Sequence, residues 1–138
     1  MDTAEILVAL ETIRTNPAYR AAEVLRRKTV GGSAAMANSS ADSEEHRAVL
    51  HLISTWDVIA QILADVSEDT KNRVFEVLPV CHMYKALKAA IEALKECSPS
   101  FGEQFGKLNG LHEAWLKSTG KDAKYISAAC GGMHARFG

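Results

Sequence analysis

The sequence predicts an all-α fold, a single bundle of five or six helices, and three observations carry that reading. Apolar residues recur at three- and four-residue spacing along most of the chain. Most periodic runs open on Asp, Asn or Ser, the residues whose side chains accept the orphan N–H groups of a first helical turn. No stretch shows the apolar/polar alternation of a half-buried strand, and no internal repeat occurs. At 138 residues the chain fits one domain spanning 1–138, long enough to bury about two-thirds of the surface its unfolded form exposes.

Taken in order, Asp2 with Glu5 three residues on is a capping pattern, and Ile6, Leu10 and Ile13 follow at helical spacing to about Thr15. Asn16 before Pro17 starts a second helix, because proline at the first helical position loses no hydrogen bond. Its expected inner face is Ala18, Ala21, Ala22, Val24 and Leu25, with Arg20, Glu23, Arg26 and Arg27 outside, ending near Val30. Residues 31–42, GGSAAMANSSAD, hold Met36 as their one large apolar side chain and predict a mobile loop. Ser43 to Val66 is the expected central helix, carrying Val49, Leu52, Ile53, Trp56, Ile59, Ala60 and Leu63 on one side.

Ser67 to Thr70 supplies the next cap, and Pro79 marks a kink or a break, since the apolar stripe changes side there. Val80, Met83, Tyr84, Leu87, Ala90, Ile91 and Leu94 share one face of the following helix. Ala86, Ala89 and Ala93 form a second, small-residue side that predicts two neighbours. Ser98 or Ser100 is expected to cap a helix from Phe101 that Gly120 ends, with a short last helix over 121–129.

The Phe101 to Trp115 stretch carries two faces. Phe101, Phe105, Leu108, Leu111, His112 and Trp115 read as core, while Gly102, Gly106 and Gly110 line up four apart. Three glycines inside a helix cost about 3 kcal/mol relative to alanine, so a close contact is expected to offset them. The natural internal mate is the Ala86, Ala89 and Ala93 side; a subunit or partner contact and a partly unwound helix are the other readings.

Composition bounds the partners. The balance of 16 Lys+Arg against 17 Asp+Glu leaves a formal charge of -1, which gives no global attraction for nucleic acid or an anionic membrane. The basic residues Arg14, Arg20, Arg26, Arg27 and Lys28 cluster in the first two helices, but only Tyr19 could stack on a base, so nucleic-acid binding is disfavoured. Three cysteines, Cys81, Cys97 and Cys130, and acidic residues where a secretory leader needs basic ones predict free thiols in a reducing cytoplasm. Apolar runs are broken by charge before the roughly 18 to 20 residues of a membrane span, so no membrane is expected.

Catalytic motifs of the common kinds are missing: no phosphate-binding glycine loop, no H-E-x-x-H and no G-x-S-x-G. His112 reads as a hydrogen-bonded core residue. Cys81 with His82, and Cys130 with His134, invite a zinc reading, but adjacent helical residues diverge by about 100° and no C-x-x-C occurs, so neither metal nor cofactor is expected. Cys130 sits at a helix C-terminus, which disfavours a thiolate. Cys81 shares a side with Lys85 and Lys88, a better setting, yet no histidine lies three or four residues along to orient it.

The segments Asn16-Pro-Ala-Tyr-Arg20 with Ala22 and Arg26, Leu50 to Val66, Ser67 to Thr70, Leu78-Pro-Val80 and Phe101 to Trp115 together resemble a bacterial family of small helical domains of unassigned function. Members often follow a single membrane-spanning helix, which this sequence does not carry. The resemblance implies a fold and supplies no catalytic residue.

The functional expectation is a non-enzymatic protein-binding module: a homodimer, an adaptor, or an inhibitor or immunity-type binder. The expected surfaces are Gly102, Gly106 and Gly110, the region of Tyr19, Arg20 and Arg27, and the side of Ala86. The alternative is a metal- or thiol-dependent enzyme drawing on Cys81, His82, His112, Cys130 or His134, or a weak nucleic-acid binder through the N-terminal arginines.

Overall fold

A computed structural model describes residues 2–120. Seven α-helices and no strand occur among them, so the all-α bundle is as expected and the count exceeds five or six. They are α1 (Thr3–Thr15), α2 (Pro17–Lys28), α3 (Gly32–Ala37), α4 (Glu44–Ala64), α5 (Glu68–Phe75), α6 (Val80–Leu94) and α7 (Glu103–Ser118). The helix expected over 121–129, with Cys130 and His134 beyond it, lies outside the described residues.

Four starts follow the caps in the sequence. Asp2 accepts from the Glu5 N–H, Asn16 from Tyr19, Ser43 from His46 and Ser67 from Thr70. Thr3 Oγ1 meets Thr70 Oγ1 at 2.7 Å, which ties the first turns of α1 and α5 together. Of the kink or break expected at Pro79, the structure has the break: α5 stops at Phe75, and proline takes the N-cap position of α6.

α4 is the axis, with α2, α3, α6 and α7 packed around it and α1 held mainly by α2 and α5. It is long and apolar enough to cross a membrane, but the stripe from Val49 to Leu63 is spent inside the bundle. Trp56 is fully buried there, stacked on Phe105 with centroids 5.0 Å apart, and its Nε1 donates to Tyr19 Oη at 3.2 Å.

Three expectations need correction. First, α2 is turned about its axis: Tyr19, Ala22 and Glu23 are buried, while Ala18, Ala21 and Val24 are exposed. A glutamate can take the inner position because Arg26, on the next turn, reaches it with two hydrogen bonds of 3.0 and 2.9 Å. Second, residues 31–42, read as a mobile loop, contain α3. Gly31 and Gly32, at φ of 91° and 65°, turn the chain into it, Met36 is fully buried, and the small residues let it lie close against α6. His46 Nδ1 meets the Ala37 carbonyl at 3.1 Å and fixes its end to α4.

Third, α7 begins at Glu103, so neither Ser98 nor Ser100 caps it and Gly102 stands outside the helix. Gly102 has φ +80°, a conformation that glycine alone adopts without strain. Since glycine has no capping side chain, Asp57 reaches across from α4: its two carboxylate oxygens accept from the Gly102 and Phe105 N–H groups, each at 2.9 Å. Leu111, expected in the core, is half exposed.

Candidate functional site

α6 lacks a capping side chain at its start, since Pro79 occupies that position. Here too the acceptor comes from a neighbour. His112 projects from α7, only 2 % exposed, with its ring centroid 5.1 Å from Phe75 and 5.9 Å from Trp115. Its Nδ1 accepts the Cys81 N–H at 3.3 Å, so Nδ1 is the unprotonated nitrogen and the ring carries its hydrogen on Nε2.

The same Nδ1 stands 3.0 Å from Cys81 Sγ. One lone pair thus faces both the amide and the thiol of Cys81, the second residue of α6. Burial holds the His112 imidazole below the ordinary histidine range, against smaller opposite effects from the Phe75 main chain and the Glu113 carboxylate. The resting imidazole is therefore neutral beside the Cys81 sulfur. A nucleophile and base within hydrogen-bond reach, at the positive end of a helix, form the minimal arrangement for thiol chemistry.

Cys81 is half-buried and opens on a cleft of about 320 Å³ between α6 and α7, lined also by Tyr84, Lys85, Lys88, Asn109 and Glu113. Lys85 and Lys88 lie four and seven residues beyond Cys81, on the same helical side. Asn109 Nδ2 donates to Glu113 Oε1 at 3.2 Å. Tyr84 packs edge-on against Phe105, centroids 5.1 Å apart.

The sequence reading placed Cys81 beside the two lysines and found no histidine on the same helix to orient it. The partner comes from α7, 31 residues away, which no local spacing could disclose. His82, the other half of the zinc reading, turns elsewhere: the charges that act on it are Arg26 and Glu23 of α2, with Lys85. No three His, Cys, Asp or Glu side chains converge as a metal site among the described residues.

The expected binding residues scatter. Gly102 is enclosed, since an added Cβ would stand 2.9 Å from Ile91, whereas Gly106 faces Tyr84 and Gly110 faces open space. Gly102 thus lies apart from the two glycines within α7. Tyr19 is buried, where burial and then the Glu23 carboxylate raise its phenol well above its usual range. Arg20 and Arg27 are exposed, and Ala86 is half-buried. Between α2 and α4 a second groove of about 220 Å³ has a floor of Ala18, Ala21, Ala22 and Ala48.

No protein-family model, curated protein or solved structure matches the chain, so the resemblance to the small helical family stands on the quoted segments alone.

Proposed function

We propose that this chain acts through the Cys81 thiol, with His112 as the base that takes its proton when an electrophile enters the cleft. The single observation that carries the reading is the 3.0 Å approach of Nδ1 to Sγ at the first turn of α6, on the wall of an open cleft. A neutral imidazole is the competent form, because only an unprotonated Nδ1 can accept the thiol hydrogen. The emerging thiolate then lies where the N-terminal end of a helix stabilises negative charge.

Cys97 is an internal control. It is exposed and lies beyond the end of α6, without a histidine contact among the described residues. Site-resolved labelling with iodoacetamide, read by peptide mass, compares the two thiols in one folded sample. Cys81 is expected to react faster despite its lesser exposure. Labelling in which Cys97 leads at every pH from 6 to 9 would reject the reading.

A second reading keeps the chain as a non-enzymatic binder of itself or another protein, whether homodimer, adaptor or inhibitor. It is favoured by the outer side of α1, where Leu7 is 41 % and Val8 66 % exposed while Ile6 and Leu10 on the inner side are buried. Native mass spectrometry over a concentration series tests it: a dimer lost in Leu7→Glu supports self-association, and a monomer throughout removes it.

A further inference from the structure

Resting on the thiol reading, we infer that the cleft selects small anionic disulfides of the oxidised-glutathione class, through Lys85 and Lys88. The two lysines repeat on the Cys81 side of α6 at the spacing of one and two helical turns and line the same cleft as the thiol. The opposite wall offers one carboxylate, Glu113, which is already engaged by Asn109. Two cations against one anion leave the cleft positive on a chain whose formal charge is -1. A volume near 320 Å³ falls at the lower end of small-ligand sites.

The step is a thiol–disulfide exchange. Cys81 Sγ loses its proton to His112 Nδ1 and attacks one sulfur of R–S–S–R; a new S–S bond forms, the old one breaks, and RS⁻ leaves with the electron pair. The leaving thiolate collects the proton from Nδ1, so Cys81–SH and R–S–S–R become Cys81–S–S–R and RSH. Cys81 is oxidised and half of the disulfide is reduced. The carboxylates of R meet the lysines while its sulfur meets the thiol.

The test compares charged and neutral probes at each cysteine of the full chain. Iodoacetate and iodoacetamide alkylate by the same chemistry and differ by one negative charge. At low salt the iodoacetate-to-iodoacetamide rate ratio at Cys81 should exceed that at Cys97, whose sequence neighbours Lys95 and Glu96 cancel, by about threefold or more. The excess should disappear in Lys85→Gln/Lys88→Gln and at about 0.5 M salt, where screening reaches within a few ångströms. Oxidised glutathione should add its mass to Cys81 faster than the cationic disulfide cystamine does.

Fast iodoacetamide labelling of Cys81 with equal ratios at both thiols would overturn the anionic selectivity and leave the thiol reading standing. Cys81 lagging Cys97 with the neutral reagent would end both. An anion preference that survives loss of both lysines would transfer selectivity away from them and overturn the assignment.

Discussion

Asp57 and Gly102 meet across 45 residues of sequence, the carboxylate of one accepting the backbone N–H of the other at 2.9 Å. The second oxygen takes the Phe105 N–H, so one side chain from α4 supplies the cap that glycine cannot give α7. His112 of α7 does the same for α6 at Cys81. The central helix thus sets the start of α7, and α7 in turn sets the start of α6 and the surroundings of its thiol.

Asp57→Ala should therefore lower stability by about 2 kcal/mol, as expected for losing two charge-assisted bonds at a half-buried helix start. Asp57→Asn, which keeps one acceptor, should lose less. Urea unfolding of the three proteins gives the order; an unchanged midpoint for Asp57→Ala would remove the capping role.

The glycines of α7 should divide by position. Gly110→Ala should stabilise by about 0.5–1 kcal/mol, because its side opens on nothing within 4 Å and alanine is the better helix former. Gly102→Ala should destabilise by about 1–3 kcal/mol, through positive φ and a Cβ at 2.9 Å from Ile91. Thermal melts that shift both variants in one direction would contradict the placement of Gly102 outside the helix.

Glu23 is fully buried, so Arg26→Met should cost about 3 kcal/mol or more by stranding its carboxylate. The double change Glu23→Leu/Arg26→Met should recover most of that loss, since no charge remains to be desolvated. A double variant as unstable as the single one would show that packing, and not the ion pair, controls this side of α2.

Acid should destabilise the fold through His112. Its folded-state value is depressed by burial, so folding favours the neutral ring; the contribution is complete above the ordinary histidine value of 6.5 and is lost as pH falls below it. His82, lowered by partial burial and by Arg26, adds in the same direction. Denaturant midpoints taken at steps from pH 7.5 to 5 should fall with pH, and His112→Gln should flatten that slope. A midpoint that rises on acidification would reverse the assignment.

Helices α1, α4 and α5 are legible from their local caps, and α6 from its apolar stripe and the proline before it. The turning of α2 is not, because Glu23 reads as solvent-facing until Arg26 is seen to close over it. α3 is illegible for a similar reason: five small residues carry no stripe, and Met36 anchors them only because α6 lies alongside. The four-residue glycine spacing crosses a helix boundary that it cannot disclose, because α7 has not begun at Gly102. The chemistry of the candidate site is half visible in the sequence: helical spacing puts Lys85 and Lys88 on the side of Cys81, whereas the histidine beside it arrives from another helix.

The most direct measurement is the nitrogen chemical shifts of His112 in protein carrying ¹⁵N-histidine, followed with pH before and after Cys81 is changed to serine or alkylated. The account predicts a neutral ring near pH 7 with hydrogen on Nε2, and an Nδ1 resonance that moves when the Cys81 thiol is altered. A ring protonated at Nδ1, or an Nδ1 signal indifferent to Cys81, would contradict both the cap on α6 and the base proposed for the thiol.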